Sequence, residues 1–159
     1  MASAVGGFTL VEILVVIVIL AIAASVAVVA FDNSDRERTT REARRFADAL
    51  EHAAARAQVR AETLGASADG GAWRFWRRDP SGQWVPVADD EVLAPHALPA
   101  GVTVTALTYG AVQLDASAIV PLRPTGRNEP FTFGLAGKDA RLVLAADPLN
   151  RVSVAPQPP

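Results

Sequence analysis

The apolar residues in the first third of the chain follow two different patterns. Residues 13–31 read ILVVIVILAIAASVAVVAF, in which Ser25 is the single polar residue. Further along, apolar and polar residues alternate at helical spacing. The apolar set is Ala43, Phe46, Leu50, Ala53, Ala57 and Leu64, and the opposite set is Arg44, Asp48, Glu51 and Glu62. The first pattern predicts a helix with apolar surroundings on all sides, and the second predicts an amphipathic helix that covers a core with one face.

Helix-breaking residues are absent from both segments. The chain contains 11 glycines and 11 prolines, yet none of them lies between Gly7 and Gly65. Glycine costs a helix interior about 1 kcal/mol and proline about 3 kcal/mol relative to alanine. The gap therefore predicts one very long helix, or two helices end to end, with Gly65 as the stop. The candidate joint is Asp32–Asp35, because Ser34 and Glu37 fit a capping box there.

The apolar run is a candidate membrane span, because about 20 apolar residues in a helix cross a bilayer core. A buried core helix is the first alternative, but such a helix would show a polar stripe. A cleaved secretory signal is the second alternative, but residues 1–7, MASAVGG, contain no lysine or arginine. Glu12 stands directly before the run, and an acid inside a membrane segment usually has a partner.

The remaining residues have the turn density of a β-domain. Residues 73–78, WRFWRR, and residues 83–87, QWVPV, flank a DPSG turn and predict a hairpin. Further strands are predicted at Val102–Tyr109, Ala118–Leu122, Phe131–Leu135, Arg141–Ala145 and Arg151–Val154. The predicted fold class is therefore α+β, with the long N-terminal helix packed on a C-terminal antiparallel β-domain.

The alternation of aromatic and basic side chains in Trp73–Arg78 has two interpretations. These residues could stack the bases of a single-stranded nucleic acid. Alternatively, they could pack across strands while their arginines face solvent. We favour cross-strand packing, and the net charge of −2 gives no global basic field for nucleic acid.

Composition excludes several kinds of chemistry. Hydrophobic residues make up 50% of the chain and charged residues 20%, which is too apolar for a disordered protein. The absence of cysteine excludes a disulfide framework, a thiolate metal site and a cysteine nucleophile. The two histidines, His52 and His96, belong to no triad order or metal-spaced cluster. Residues Asp89–Glu91 could bind a hard cation, but an acidic surface loop is favoured, so we expect no enzyme, cofactor or metal site.

Residues 7–12, GFTLVE, followed at once by the apolar run, resemble the type III signal of type IV pilins and pseudopilins. The resemblance implies that a membrane prepilin peptidase cuts after Gly7 on the cytoplasmic side and N-methylates the new first residue, Phe8. It also implies that Glu12 neutralises the new amino terminus, usually that of a neighbouring subunit in the filament. Burying such a pair is worthwhile only when both charges are present.

The charges around the span depart from the family pattern. Family leaders carry lysine or arginine, and residues 1–7 carry none, so we expect a basic stretch upstream. Five arginines follow the span, at Arg36, Arg38, Arg41, Arg44 and Arg45. By the positive-inside rule they would hold the C-terminal side in the cytoplasm. The cleavage motif is the more specific signal, and it favours the opposite topology.

The C-terminal part resembles the globular domain of the H-type (GspH-like) minor pseudopilins of type II secretion and their FimT-like relatives in type IV pili. The resemblance rests on Leu98–Val102, Pro124–Gly126, Phe131–Phe133, Arg141–Val143 and Asn150–Val152. In that family a PSG-like turn precedes a late strand, and the chain ends in a strand that begins Gly-Arg. Here threonine replaces the serine of the turn, and asparagine replaces the glycine of the last strand.

Together the two resemblances imply a pilin-like layout. The predicted parts are a leader peptide at 1–7, a transmembrane and filament-core helix at 8–31, an amphipathic helical spine at 32–64, a periplasmic β-domain at 65–155 and a tail at 156–159. The protein would be a single-pass protein of the bacterial inner membrane, with its C-terminal domain in the periplasm.

The implied function is that of a minor pseudopilin, a structural subunit near the tip of the type II secretion pseudopilus. This filament pushes folded proteins through an outer-membrane secretin. The implied partners are the tip minor subunits, the major subunit, the prepilin peptidase and the secretion-system assembly platform, without nucleic acid.

Two other hypotheses stay open. A FimT-like minor pilin of a type IV pilus would carry the same signal and would bind DNA for uptake. Against it, the residues after Phe31 comprise 15 basic and 16 acidic side chains, and the C-terminal tail has no arginine cluster. The second hypothesis is an unrelated binding domain with a single membrane anchor, which would keep Met1 as its first residue.

Overall fold

The structure, a computed structural model, describes residues 10–115 and 117–157, without the side chains of residues 23–34. The chain divides after Ser34 into two units. One helix, α1, spans Leu10–Arg60. The strands are β1 (Leu64–Ala68), β2 (Ala72–Arg78), β3 (Trp84–Pro86), β4 (His96–Ala97), β5 (Thr103–Tyr109), β6 (Val112–Leu114), β7 (Val120–Leu122), β8 (Phe131–Ala136), β9 (Arg141–Ala146) and β10 (Val152–Pro156).

The helix is unbroken at Asp32–Asp35, where the sequence allowed either one helix or two. No glycine or proline lies within it, so every residue can keep its helical hydrogen bonds. In the part of the chain that the structure describes, no helix combines the length and the apolarity that a membrane crossing requires.

The helix ends at Arg60, earlier than the predicted boundary at Leu64. Ala61 adopts a left-handed conformation with φ of 52°. The amide of Glu62 donates to the carbonyl of Ala57 at 3.1 Å, and the amide of Ala61 donates to that of Gln58 at 3.4 Å. These two bonds form a Schellman motif. The prediction that Gly65 ends the helix is therefore wrong, because an alanine supplies the left-handed cap.

The β-domain consists of two antiparallel sheets, which confirms the predicted α+β class. The first sheet has the order β3-β2-β1-β7, with β4 also paired to β2, and the second has the order β10-β9-β8-β5-β6. The hairpin at residues 73–87 forms as predicted, as β2 and β3. All pairings are antiparallel, so short connections suffice between most consecutive strands.

Strand β1 is central to its sheet, although the sequence predicted a helix up to Leu64 with Gly65 as its stop. All five of its residues are buried between β2 and β7. The four residues after Leu64 are glycine, alanine or serine, and at Gly65 no space is left for a side chain. A Cβ atom on Gly65 would overlap the side chains of Ile119 and Trp84.

The last strand continues into the predicted tail. β10 includes Pro156, and the amide of Gln157 still donates to the carbonyl of Arg141 at 2.9 Å. A proline fits here because β10 is an edge strand, where one side of the backbone needs no ladder partner. The β-domain therefore runs at least one residue beyond the predicted boundary at 155.

The core of the second unit lies where α1 meets both sheets. The ring of Phe46 stacks on Trp73 of β2 with 4.7 Å between centroids, and it contacts Phe133 of β8 at 5.0 Å. The predicted buried helix face is confirmed, since its helical members are all nearly inaccessible to solvent. They are Ala43, Phe46, Leu50, Ala53 and Ala57.

Candidate assembly site

The residues predicted for processing and assembly lie at the start of the chain. Gly7 and Phe8 are outside the residues that the structure describes. Glu12 lies in the first turn of α1 and is exposed to solvent. A carboxylate in the first turn stabilises the helix, because the amide groups there carry partial positive charge.

The helix surface that follows Glu12 is apolar and solvent-exposed. Large apolar side chains from Leu10 to Ile22 expose between 45% and 84% of their surface. Monomeric soluble proteins rarely expose continuous apolar patches of this kind, and such patches mark membrane or protein contacts. The surface therefore has the character of a contact region.

A second polar feature joins α1 to the β3–β4 loop, residues 87–95. The guanidinium group of Arg56 is only 4% exposed and is surrounded by carboxylates. Its Nε donates to Glu62 at 2.8 Å, and its terminal nitrogens donate to Asp89 at 2.8 Å and to Asp90 at 3.0 Å. Burial lowers the pKa of Arg56, but these hydrogen bonds outweigh burial and raise the pKa above its ordinary value.

Both histidines strengthen the same connection. His52 Nε2 of α1 lies 3.0 Å from Asp90 Oδ2 of the loop, and His96 Nε2 of β4 lies 2.9 Å from Glu42 Oε2 of α1. Burial would raise the pKa of Asp90, but hydrogen bonds from His52 and Arg56 lower it to about 2. Side-chain contacts therefore join the helix to the loop at Asp90, and to the strand that follows the loop at His96.

Two of the three residues considered as a cation site, Asp89 and Asp90, are already paired with cationic side chains of α1. Asp89 and Asp90 accept hydrogen bonds from arginine, and the Arg56 hydrogen bond lowers the pKa of Asp89. Within the described residues, no group of three or more acidic or histidine side chains is arranged to hold a metal ion. His96 begins β4 and pairs with Trp73 of β2.

The aromatic and basic ribbon packs across strands, as the favoured interpretation predicted. Trp73 and Phe75 are buried while Arg74 between them is exposed. Trp76 is half-buried, and its indole nitrogen donates to Ser67 Oγ of β1 at 2.8 Å. The faces of Trp73 are covered by Phe46 and His96. These two buried rings are therefore not open to nucleic-acid bases.

Thr125 and Asn150 are the two departures from the family's late motifs, and Asn150 contacts the turn that contains Thr125. Asn150 has φ of 63°, a left-handed conformation that asparagine tolerates better than most residues other than glycine. The Asn128 amide donates to Asn150 Oδ1 at 2.7 Å, and Asn150 Nδ2 donates to the carbonyl of Gly126 at 3.4 Å. The asparagine thus takes a left-handed conformation that glycine also adopts readily, and it links the PTG turn to the start of the last strand.

Two known protein-family profiles match parts of the chain. The profile described as "Prokaryotic N-terminal methylation motif" matches residues 3–28. The profile described as "Type II transport protein GspH" matches residues 42–155, which is more than half of the chain. The chain belongs to the GspH family. This confirms the family predicted from the sequence, the H-type minor pseudopilins of type II secretion.

Solved structures support the GspH fold. The minor pseudopilin EpsH of the Vibrio cholerae type 2 secretion system matches with a TM-score of 0.62 at 16% identity, over 75% of this chain and 97% of that one. A second EpsH structure gives 0.64 at 16% identity, over 78% and 98%. The solution structure of E. coli GspH gives 0.60 at 21% identity, over 76% and 89%. Comparison with curated protein sequences gave no significant match.

Membership of the GspH family gives the late motifs a structural meaning. The PTG turn holds Gly126 at φ of 73°, and a Cβ there would lie 3.0 Å from the Gln58 side chain of α1. The turn therefore packs directly against the helix.

Proposed function

We propose that the protein is a structural subunit of the type II secretion pseudopilus, located between the tip minor subunits and the major subunit. It acts by packing in the filament and performs no reaction of its own. The observation that carries the proposal is the succession of a methylation motif at 3–28 and a GspH domain at 42–155. The exposed apolar surface of α1 supports it.

In this proposal the prepilin peptidase cuts after Gly7 and methylates Phe8. The new amino terminus is a cation close to an apolar helix, so it needs an anionic partner when it is buried. Glu12, near the start of α1, is the acid suited to neutralise the terminus of a neighbouring subunit. The pair would then fix the depth at which each subunit enters the filament.

Before assembly, the apolar residues 13–31 would hold the protein in the inner membrane as a single-pass anchor, with the β-domain in the periplasm. The run contains one polar residue in 19 positions, close to the roughly 20 residues that a helix needs to span a bilayer. After extraction from the membrane, the same surface would pack against helices of other subunits, while the assembly platform drives the filament towards the secretin.

The experiment replaces Gly7 or Glu12 by alanine in cells that carry the complete secretion system. We expect Gly7→Ala to block processing, and Glu12→Ala to be processed but to fail in filament assembly and in export of folded proteins. Glu37→Ala, an exposed acid further along α1, is the matched control and should behave as the native protein. Native processing, assembly and secretion in both test variants would overturn the proposal.

A further inference from the structure

A groove in the second unit lies beside the side-chain contacts that join α1 to the β3–β4 loop. It has a volume of about 550 Å³. One wall is α1, with Arg41, Arg44 and Arg45, and the other wall includes Val92 and Pro95 of the loop. Val92 exposes 54% of its surface, so the groove offers apolar contact opposite its charged wall.

The three arginines of the groove differ from Arg56 and Arg60, which lie further along α1. Within the described residues, none of the three guanidinium groups makes an ion pair or a hydrogen bond. By contrast, Arg56 and Arg60 are both paired with carboxylates of the loop. The groove therefore presents three guanidinium groups that are unpaired within the described part of the chain, alongside the carboxylates of Asp48 and Glu91.

The walls of the groove are fixed before any partner arrives. His96, which lines it, is paired with Glu42 of α1 and packs on Trp73 with 4.2 Å between ring centroids. Further along the helix, Arg56 holds Asp90 of the same loop. A preformed groove binds with less loss of conformational entropy than a loop that must first be ordered.

The chemistry of the groove selects between polypeptide and nucleic acid. Asp48 and Glu91 also line it. Their carboxylates would repel a phosphate backbone, which carries a charge at every nucleotide, more than a polypeptide whose carboxylates are separated by apolar residues. The buried face of Trp73 is covered by Phe46, so a base cannot stack there. Separate carboxylates on a polypeptide could pair with the arginines, while apolar side chains between them contact Val92 and Pro95.

We propose that this groove binds an acidic segment of another protein, in which glutamate or aspartate side chains alternate with apolar ones. The site is separate from Glu12 and from the apolar start of α1. The proposal therefore stands or falls independently of processing and filament assembly.

The test measures binding of labelled peptides to the full chain in detergent by fluorescence anisotropy. The probe is a short peptide that alternates glutamate and leucine, with a lysine–leucine peptide and a single-stranded DNA oligonucleotide as comparisons. We expect binding of the acidic peptide alone, weakening as salt is added because exposed charges are screened.

The groove variant carries Arg41→Glu, Arg44→Glu and Arg45→Glu, and should lose at least about tenfold in affinity for the acidic peptide. The matched control carries Arg77→Glu, Arg123→Glu and Arg127→Glu, three exposed arginines elsewhere that change the net charge equally. The control should retain native affinity. Equal affinity in both triple variants, or preference for the oligonucleotide, would overturn the proposal.

A single change on the opposite wall guards against a folding defect in the triple variant. Val92→Glu places a carboxylate beside the arginines at an exposed loop position, where surface substitutions have little effect on folding. It should weaken acidic-peptide binding while the circular dichroism spectrum stays native. Unchanged binding in folded Val92→Glu would count against the groove as the site.

Discussion

Residues 10–22 and residues 43–57 belong to the same helix, but they treat their apolar side chains in opposite ways. In the first segment the large apolar residues are exposed, by 60% at Ile17 for example. In the second they are buried against two sheets, with Phe46 fully inaccessible. The hydrophobic effect favours covering both surfaces. The chain's own β-domain buries the apolar side chains of residues 43–57. Those of residues 10–22 would have to be buried by something outside the chain.

The difference teaches how to interpret apolar patterning in a long helix. A face of apolar residues at 3.6-residue spacing indicates cover from one side, here by the β-domain. A run that is apolar all round indicates cover from every side, as in a membrane or a filament core. Substitutions in the two segments should therefore differ strongly in their effects on stability.

The largest effect is expected at the centre of the buried segment. Phe46→Ala removes a ring that packs on Trp73 and Phe133, and it should lower the free energy of unfolding by about 3–5 kcal/mol. Ile17→Ala, in the exposed segment, should change that quantity by less than about 0.5 kcal/mol. Urea unfolding of the full chain in detergent measures both. Similar losses in the two variants would break the comparison.

The next effect concerns Arg56, whose ion pairs join the buried segment of the helix to the β3–β4 loop. Arg56→Met leaves Asp89, Asp90 and Glu62 without their shared cation, and should cost about 3 kcal/mol because a partly buried acid loses its partner. Arg60→Met, on the same helix and paired only with Asp89 at the surface, should cost less than about 1 kcal/mol. Denaturant unfolding distinguishes them, and equal costs would show that Arg56 is not the central partner.

A smaller effect is expected where β1 packs. Gly65→Ala should destabilise the domain by about 1–3 kcal/mol, because the added methyl group overlaps Ile119 and Trp84. Gly71→Ala meets no atom within 4 Å and should be neutral or slightly stabilising, since alanine restricts the unfolded chain. Thermal unfolding of the two variants tests this, and a neutral Gly65→Ala would contradict the tight packing of β1.

The smallest effect depends on pH. The pKa of Asp90 is about 2 in the folded chain and 3.8 ordinarily, so its charge stabilises the fold above pH 3.8, and this stabilisation is lost as pH falls through about 2. The groups that face it are His52, Arg56 and the amide of Val92. Asp90→Asn should cost about 1–2 kcal/mol at neutral pH, and the difference from the native chain should shrink between pH 4 and 2. A difference independent of pH would contradict the assignment.

Much of the fold could be predicted because its signals are local. The apolar face of α1 and the alternation in β2 depend on neighbours three to four, or two, residues away. Strand β1 was missed because its small, buried residues satisfy a packing requirement set by Ile119 and Trp84, far along the chain. The helix end was missed because Ala61 takes a left-handed conformation that usually indicates glycine.

The candidate sites divide in the same way. Glu12 and the cleavage position could be proposed because their motif is contiguous. The Arg56 cluster could not, since its acids at Asp89 and Asp90 lie more than 30 residues away. The sequence did contain one signal for this cluster, since Arg56 precedes Ala57 on a helix face that is otherwise apolar. An arginine on a buried face needs carboxylate partners.

The central claim is that the start of the chain is processed and then covered by other subunits, while the β-domain covers the apolar face of residues 43–57. Intact mass spectrometry with N-terminal sequencing, on protein extracted from membranes of cells that carry the secretion system, tests this most directly. The account predicts a chain that begins at Phe8 and carries one added N-methyl group. A chain that keeps residues 1–7 and has an unmodified Phe8 would contradict it.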